Sequence, residues 1–483
     1  MRQRSKVEKS REEWKTKAMK RAAENREYRK AQKRQLKKIV ELNLKISELE
    51  QRESIEKTDT AGSVVQIKET PEIRALCVLL VINAAISYRS IPHIFNVFNS
   101  KTPLTLSWIP HFTSVINWSL RVGLGLLAQV SPIVSPWLAI IDHSIDIGTK
   151  KVLVVLRVKM DALLQRGGAI HLADCECIGI RVREIVNGEA VAEDLTTIFE
   201  KAGTPVAIIK DRDATLQKGV RLWSEKQQND VSVIDDIGHV MATILKKLYE
   251  ETEPFKQFVA AITTCAARLR QTDLAFLIPP KLRSKGRFQS IGTLGKWAEK
   301  MLNILTDEPA RQDEKDEPDS VLARFRAAMP DFLSFAPFIK NFSNTVKHAS
   351  QIMETLKKNG LSDSTYRQCT QFLAQFPEDS IIKTRLQNWL DKHIEIQKRM
   401  LKLPLLVSSD IIESLFGNFK HIIERSPQAD MNRTVLLIPT LCGNLDETMV
   451  TRALSYARHR DLEIWEKENI PYTLRKKRRA FLN

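Results

Sequence analysis

The sequence has few cysteines and no long apolar run, and we expect neither a disulfide framework nor a secretory leader. Six cysteines in 483 residues are too few and too scattered for a disulfide scaffold. No second Cys or His pair follows Cys175 and Cys177 at the spacing of a zinc site. The longest apolar run, 75–87, is too short to cross a bilayer, and the N-terminus is charged throughout. We therefore expect a cytoplasmic protein with reduced thiols and no membrane partner.

The charge balance is strongly basic. The formal net charge is +17, and residues 1–40 alone hold sixteen Lys and Arg against five Glu. A surplus of this size indicates a polyanionic partner, and nucleic acid is the first candidate. The length suits roughly two to four folding units.

The N-terminal third is predicted to be helical. Residues 5–56 contain neither Pro nor Gly, which favours a long basic helix. Ile39, Leu42, Ile46 and Leu49 have coiled-coil spacing, so this helix is either a dimer seam or a solvated basic helix. Three further helical runs, at 71–87, 88–99 and 107–127, suit a helix-turn-helix-like module in which Arg89 and Arg121 could meet DNA.

Residues 135–240 have the texture of a mixed α/β sheet. The apolar runs predict the order β-β-β-α-β-α-β. The strands are expected at 136–148, 150–160, 169–182, 205–219 and 231–239, and the helices at 190–203 and 220–228. Trp223 in the second helix could stack on a base, but a core position is the more common one for tryptophan.

A long helical stretch separates the sheet from a last amphipathic helix, "SSDIIESLFGNFK" (408–420). An exposed basic loop, 279–288, adds candidate DNA contacts at Lys281, Arg283, Lys285 and Arg287. The predicted domains are a basic long helix (1–60), a helical DNA-binding domain (61–132), the first part of a catalytic core (133–240), a helical insertion (241–403), the last core helix (404–430), and a C-terminal helical segment with a basic tail (431–483).

Two aspartates follow apolar strands. Asp142 closes the first strand and Asp211 the fourth. If strand one is central with strand four beside it, the two carboxylates are neighbours at the edge where α/β sheets bind ligands. Their repulsion is relieved by a divalent cation such as Mg²⁺, and two such ions can serve phosphodiester transfer. Asp146 and Asp213 are near-duplicates, and we favour Asp142 and Asp211 because each directly follows its strand.

Glu413 fits the role of a third carboxylate. Ser409 is a plausible N-cap of its helix. Glu413, Phe416, Gly417 and Lys420 have spacings of three, four and seven, so they are predicted to share one face, with Lys420 placed to meet DNA phosphate. Asp235, Asp236 and His239 at the fifth strand could replace Glu413 as a ligand, support the site, or include a helix N-cap.

With these residues in place, the chain resembles a DDE transposase with a ribonuclease H-like catalytic core, of the bacterial insertion-sequence kind. Asp142, Asp211 and Glu413 match the three acidic positions in order. Glu413 and Lys420 also match the Glu and Lys of the family's Tyr-Arg-Glu-Lys motif, whereas Leu406 and Ser409 stand at the Tyr and Arg places.

The resemblance implies hydrolysis at transposon ends followed by strand transfer into target DNA. It implies that Asp142, Asp211 and Glu413 bind two divalent ions, either Mg²⁺ or Mn²⁺. It further implies double-stranded DNA as partner, a homo-oligomer in the synaptic complex, and a nucleoid-associated bacterial protein. A ribonuclease H-like nuclease or resolvase, and a non-catalytic DNA-binding protein derived from the fold, are the alternatives.

Overall fold

The structure is a computed structural model. It describes residues 66–67, 70–102, 105–106, 108–147, 150–227, 231–282, 288, 291–306, 320–400, 404–424 and 432–482. The chain forms two compact units, one of Met1–Lys68 with Asn96–Trp108 and the other of Glu69–Phe95 with Ile109–Asn483. The predicted basic helix and coiled coil at 1–60 lie outside the described residues.

In the smaller unit, β1 (Gln66–Ile67) and β2 (Thr105–Leu106) pair in parallel. The remaining strands are β3 (Trp137–Ile147), β4 (Lys150–Lys159), β5 (Cys175–Arg183), β6 (Ala207–Lys210) and β7 (Ser232–Asp235). The α-helices are α1 (Pro71–Ile82), α2 (Ser90–Lys101), α3 (Phe112–Ala128), α4 (Met160–Arg166), α5 (Gly188–Ala202), α6 (Ala214–Gln227), α7 (Ile237–Tyr249), α8 (Glu253–Leu269), α9 (Ile291–Thr306), α10 (Val321–Ala328), α11 (Ala336–Asn359), α12 (Asp363–Leu373), α13 (Ile381–Arg399), α14 (Asp410–Ile423), α15 (Glu447–Tyr456), α16 (His459–Asn469) and α17 (Leu474–Leu482). Short 3₁₀ segments cover Leu172–Asp174, Asp273–Leu277, Phe332–Phe335 and Arg433–Leu441.

The larger unit is built on a mixed sheet with the strand order β5-β4-β3-β6-β7. The strands β3, β4 and β5 form an antiparallel meander, whereas β3, β6 and β7 run parallel. Parallel strands need crossover connections, and α5 and α6 provide them. The five predicted strands and the place of the fourth beside a central first strand are confirmed. The predicted order β-β-β-α-β-α-β lacks one helix, α4, which lies between the second and third strands.

Alternate residues of β3 bury their side chains on opposite faces of the sheet. On one face, Trp137 packs edge-on against Phe199 of α5, whose ring in turn meets Trp223 of α6 at 4.9 Å. Trp223 is therefore a core residue. The other face belongs to Leu138, Ile140 and Asp142, and helix α14 packs against β3.

The range of β3 agrees with the predicted 136–148, although Asp142 does not close the strand. Three other strands are shorter than predicted: β5 begins at Cys175 and not at 169, β6 ends at Lys210, and β7 ends at Asp235 because α7 begins at Ile237. Strand β3 continues past Asp142 to Ile147, because its antiparallel partner β4 supplies hydrogen bonds along that length. The predicted strand 205–219 is wrong beyond Lys210, since α6 begins at Ala214. Asp213 causes this change by accepting the N–H groups of Thr215 and Leu216 and so capping the helix.

The described chain between β7 and α14 is helical, as predicted. An aromatic cluster holds part of it together, with Tyr249 edge-on to Phe342 at 5.1 Å and Phe338 stacked on Phe342 at 5.3 Å. The acidic stretch at 307–319 lies outside the described residues. No described helix is long and apolar enough to span a membrane.

Helix α3 packs against the C-terminal part of the chain, on the 3₁₀ segment Arg433–Leu441 and on α15. Two glycines make this approach possible. A Cβ at Gly123 would lie 1.6 Å from the carbonyl oxygen of Leu436, and a Cβ at Gly125 would lie 2.0 Å from that of Ala453. The chain thus folds back on helices more than 300 residues upstream.

The six cysteines are buried free thiols, as expected. The basic tail is helical in α17, and Lys477 pairs with Glu184 at 3.0 Å. This contact places the tail against the end of β5.

Candidate active site

Asp142 and Asp211 lie next to each other at one edge of the sheet. The parallel register of β3 and β6 ends at the pair Ile141 and Lys210, and each aspartate is the next residue of its strand or loop. The sequence predicted Asp142 at the end of the first strand, but β3 continues to Ile147. Asp142 is instead the first residue of β3 beyond its parallel pairing with β6. The alternation of side chains directs it to the face covered by α14.

The surroundings of Asp142 disfavour its charge. Burial, the neighbouring charge of Asp211 and, to a smaller extent, that of Glu413 together raise its pKa to about 7. The backbone N–H of His143 and the charge of His239 act in the opposite direction. Asp142 is therefore a buried carboxyl group whose ionised form is destabilised, in part by the negative charges of Asp211 and Glu413.

Asp211 and its near-duplicate Asp213 have different roles in the structure. Asp213 is used as the cap of α6 described above, whereas the carboxylate of Asp211 accepts the N–H of Asp213, at 2.9 Å, and caps no helix. Burial raises the pKa of Asp211 as well. The preference for Asp211 over Asp213 thus has a structural basis.

Glu413 approaches the two aspartates from α14. Its helix buries Ile412, Leu415, Phe416 and Phe419 and leaves Glu413 exposed at the edge of that apolar stripe. The negative charge of Glu413 raises the pKa of Asp142 and that of His239. Three acids from three separate elements therefore act on one another at this edge of the sheet.

The predicted common face of α14 needs one correction. Phe416 points into the core, because hydrophobic burial outweighs a place beside the acid. Glu413, Gly417 and Lys420 are exposed together. A Cβ at Gly417 would meet nothing within 4 Å, so this stretch of the helix surface is open.

Asp236 joins the fifth strand to the start of α14. It is 1% exposed, and it accepts the backbone N–H and the hydroxyl of Ser409, at 2.6 and 3.1 Å. It also caps α7 through the N–H of His239, at 2.6 Å. The prediction of a helix cap at Asp236 is confirmed. Ser409 stands at the N-cap position but makes no side-chain cap bond, because its hydroxyl binds Asp236.

His239 interacts electrostatically with all three acids. Burial lowers its pKa, but the bond from Nδ1 to Asp236 (2.9 Å) and the charges of Asp236, Asp211 and Glu413 raise it to about 9. It is thus an imidazolium at neutral pH. Sequence reasoning included His239 only as one of three candidates and did not predict its charge.

Asp235 has a structural role on the next strand. Its side chain pairs with Lys210 at 2.9 Å and with Lys392 at 3.4 Å. Its backbone N–H donates to His393 and its carbonyl oxygen accepts from Trp389. These bonds fasten α13 to the end of β7, so Asp235 links the helical stretch to the sheet.

The donor chemistry at this edge fits a divalent cation. Carboxylates that raise one another's pKa by repulsion lose that penalty when a cation lies between them. Among the described residues, however, no three His, Cys, Asp or Glu side chains come close enough together to hold an ion. Asp142, Asp211 and Glu413 are thus within electrostatic range, without forming a ready coordination set.

The predicted DNA contacts have different surroundings. Lys420 and Lys281 are exposed, and Arg89 is exposed with its guanidinium over the ring of Phe112 at 4.8 Å. Arg283, Lys285 and Arg287 lie outside the described residues. A DNA contact at each of these positions stays a prediction.

Arg121 has a structural role that the sequence did not predict. Its guanidinium donates to the carbonyl oxygens of Ala457 and Leu454, at 2.7 and 3.0 Å. These bonds satisfy the C-terminal carbonyls of α15 and strengthen its contact with α3.

Comparison with known proteins gives only a distant structural likeness. No family model matches the chain, and no curated protein matches it. Among solved structures, it is similar to the Drosophila P element transposase strand transfer complex, with a TM-score of 0.39 and 10% sequence identity, over 84% of this chain and 96% of that chain. A likeness this distant leaves the function to be derived from the residues of the site.

Proposed function

We propose that this protein is a DDE transposase with a ribonuclease H-like core. It hydrolyses a phosphodiester at a transposon end and joins the released 3′-hydroxyl to target DNA. The supporting observation is the approach of Asp142, Asp211 and Glu413 from three elements, close enough for Asp211 and Glu413 to raise the pKa of Asp142. Acids with strongly perturbed pKa values cluster at functional sites.

Asp142 and Asp211 would hold the divalent ions, Mg²⁺ or Mn²⁺, and Glu413 would add a carboxylate oxygen from α14. Two such ions supply the nucleophile activation and leaving-group stabilisation that phosphodiester transfer needs. The parallel pairing of β3 and β6 fixes the separation of the two aspartates. Glu413 lies on a separate helix, so its position depends on how α14 is held.

The other residues of the site position groups and balance charge. Asp236 holds the start of α14 through Ser409. His239 brings a positive charge to the acids and is itself oriented by Asp236. Lys420 is exposed on the same open face as Glu413 and can bind a DNA phosphate. The binding of duplex DNA and assembly as a homo-oligomer belong to this proposal.

The test is cleavage of a plasmid that carries the DNA flanking the gene, with Mg²⁺ or Mn²⁺ present. We expect Asp142→Asn, Asp211→Asn and Glu413→Gln each to lower the cleavage rate at least roughly 100-fold while DNA binding is retained. Asp410→Asn is the matched control, because Asp410 lies one turn before Glu413 and pairs with Lys357 instead. Unchanged cleavage in any of the three variants would contradict the proposal.

A second assay separates transposition from cleavage alone. A DNA end with a free 3′-hydroxyl is offered with a circular target, and joined product is measured. Joining supports the transposase. Cleavage without joining supports the nuclease or resolvase, and DNA binding with neither reaction supports the non-catalytic protein.

A further inference from the structure

A groove of about 670 Å³ adjoins the candidate site on the side of Asp211. Its walls are the chain after β6, one face of α6, the end of β7, and Lys392 of α13. Lys210 and Arg212, which flank Asp211, both line it. The groove is therefore adjacent to the candidate site, because its lining includes both chain neighbours of Asp211.

The lining is predominantly cationic. Five of its side chains are basic (Lys210, Arg212, Lys218, Arg221, Lys392) and two are acidic (Glu225, Asp235). Asp235 is shared between Lys210 and Lys392. The groove thus keeps a net positive charge after its own acids are counted.

Two of the other cations also have acidic neighbours. Arg221 pairs with Glu225 at 3.8 Å and Lys218 with Glu189 at 2.6 Å, and these four side chains are exposed. Exposed pairs of this kind are weak and exchange readily for a stronger anion such as a phosphate.

The length of the groove suits a chain of phosphates. Its lining residues on α6 extend from Ala214 to Glu225, which is about 16 Å at 1.5 Å per residue. One DNA strand advances about 3.4 Å per nucleotide, so this face matches about five nucleotides. The described lining has no aromatic side chain on which a base could stack, so contact with the backbone is favoured over contact with bases.

We propose that this groove binds the backbone phosphates of the DNA strand adjacent to the nucleotide held at Asp142 and Asp211. Lys210 and Arg212 flank Asp211, whereas Arg221 and Lys392 line the groove from α6 and α13. The inference rests on the proposed function, because it takes the three acids as the point where the strand reacts. It adds a path for the strand and names residues that had no assigned role.

Site-specific cross-linking tests the path. Because the six native cysteines are buried, a cross-linking reagent reaches a thiol introduced at the surface in preference to them. Ser224 lines the groove, whereas Lys226 is exposed on the same helix outside it. DNA carrying disulfide-activated thiol tethers on its phosphates should cross-link to Ser224→Cys at least about tenfold faster than to Lys226→Cys. Equal rates at the two positions would overturn the proposal.

Charge reversal provides a second measurement. We expect Arg221→Glu to weaken DNA binding about tenfold and to reduce the slope of log affinity against log salt by about one, as for the loss of a phosphate contact. Lys226→Glu changes the net charge equally and should change affinity less than about twofold. A loss of the same size in both variants would show a general charge effect and overturn the proposal.

Failure of the groove and failure of the catalytic site give different results. Asp211→Asn should abolish cleavage and leave the Ser224→Cys cross-link intact. If the native protein cross-links at Ser224→Cys but never cleaves, the groove stands and the transposase proposal fails. If it cleaves in a metal- and Glu413-dependent way without that cross-link, the groove proposal fails alone.

Discussion

At the scale of single residues, the site is set by which charges are buried together. Asp142 and Asp211 are brought side by side by the register of β3 and β6. Glu413 adds a third negative charge, and His239 adds a positive one. Burial and the remaining negative charge together hold the pKa of Asp142 near 7.

This pKa predicts a pH-dependent cost to stability. The pKa of Asp142 rises from 3.8 to about 7 on folding, so between these values the native state keeps a proton that the unfolded state has lost. The free energy of unfolding therefore falls as pH rises through that window. We expect Asp142→Asn to stabilise the metal-free protein by roughly 1–3 kcal/mol at pH 8 and by much less at pH 4.

Thermal or urea unfolding at the two pH values measures this effect. His239 also loses stabilising charge between pH 6.5 and about 9. Most of that loss is common to both proteins, because it comes from Asp236, Asp211 and Glu413. A variant that is destabilised equally at both pH values would show that Asp142 carries no raised pKa.

The residues that follow apolar runs could be predicted from the sequence, because a strand ending at a polar residue is a local pattern. Asp142 and Asp211 are predicted in this way, and Glu413 is predicted from its place on an amphipathic helix. The cap that Asp236 provides to α7 could be predicted, but its bond to Ser409 could not, since Ser409 is 173 residues away. A buried acid held by distant donors leaves no local pattern.

At the scale of elements, the placement of α14 decides whether Glu413 reaches the sheet. Asp236 binds Ser409, and the N–H of Ile237 donates to the carbonyl oxygen of Val407 at 3.0 Å. The start of α7 thus fixes the start of α14. The apolar side of α14 then packs on β3, which fixes its rotation.

This attachment predicts a difference between two serines. Ser409→Ala removes the hydroxyl bond to Asp236 and keeps the backbone bond, so we expect a loss of about 1 kcal/mol of unfolding free energy and a lower turnover rate with little change in DNA affinity. Ser414→Ala, on the exposed side of the same helix, should change neither. Ser409→Thr should restore turnover if the hydroxyl is a positioning group. An equal effect of the two alanine variants on turnover would contradict this role.

The order of the elements was predictable, and their ends were less so. Runs of β-branched and other apolar residues identify β3, β4 and β6 from the sequence alone. The end of β3 depends on hydrogen bonds from β4, and the start of α6 depends on the Asp213 cap. Both are set by pairing partners and not by hydrophobicity.

At the scale of the whole molecule, segments that are far apart in the sequence pack against each other. Helix α3, near residue 120, packs on segments beyond residue 430. Gly123 and Gly125 lie where the backbones touch. The glycines of "RVGLGLL" gave no indication of their partner, because a close approach between distant segments has no counterpart in the local sequence.

Alanine is expected to have opposite effects on stability at a closely packed glycine, Gly125, and at an open one, Gly417. Gly125→Ala would bring a Cβ to 2.0 Å from the carbonyl oxygen of Ala453, so the segments must separate, and we expect a loss of about 3 kcal/mol. Gly417→Ala meets nothing within 4 Å and should gain about 0.5–1 kcal/mol from helix propensity. Chemical denaturation of both variants measures the pair. Stabilisation by Gly125→Ala would contradict the packing of α3 on α15.

The central claim is that the three acids form a divalent-cation site. Titration of the protein with Mn²⁺, followed by calorimetry or by the electron paramagnetic resonance of the free ion, tests it most directly. We expect saturable binding by the native protein, loss of that binding in Asp142→Asn/Asp211→Asn, weaker binding in Glu413→Gln, and no change in Asp410→Asn. Equal Mn²⁺ binding by the native protein and the double variant would contradict the claim.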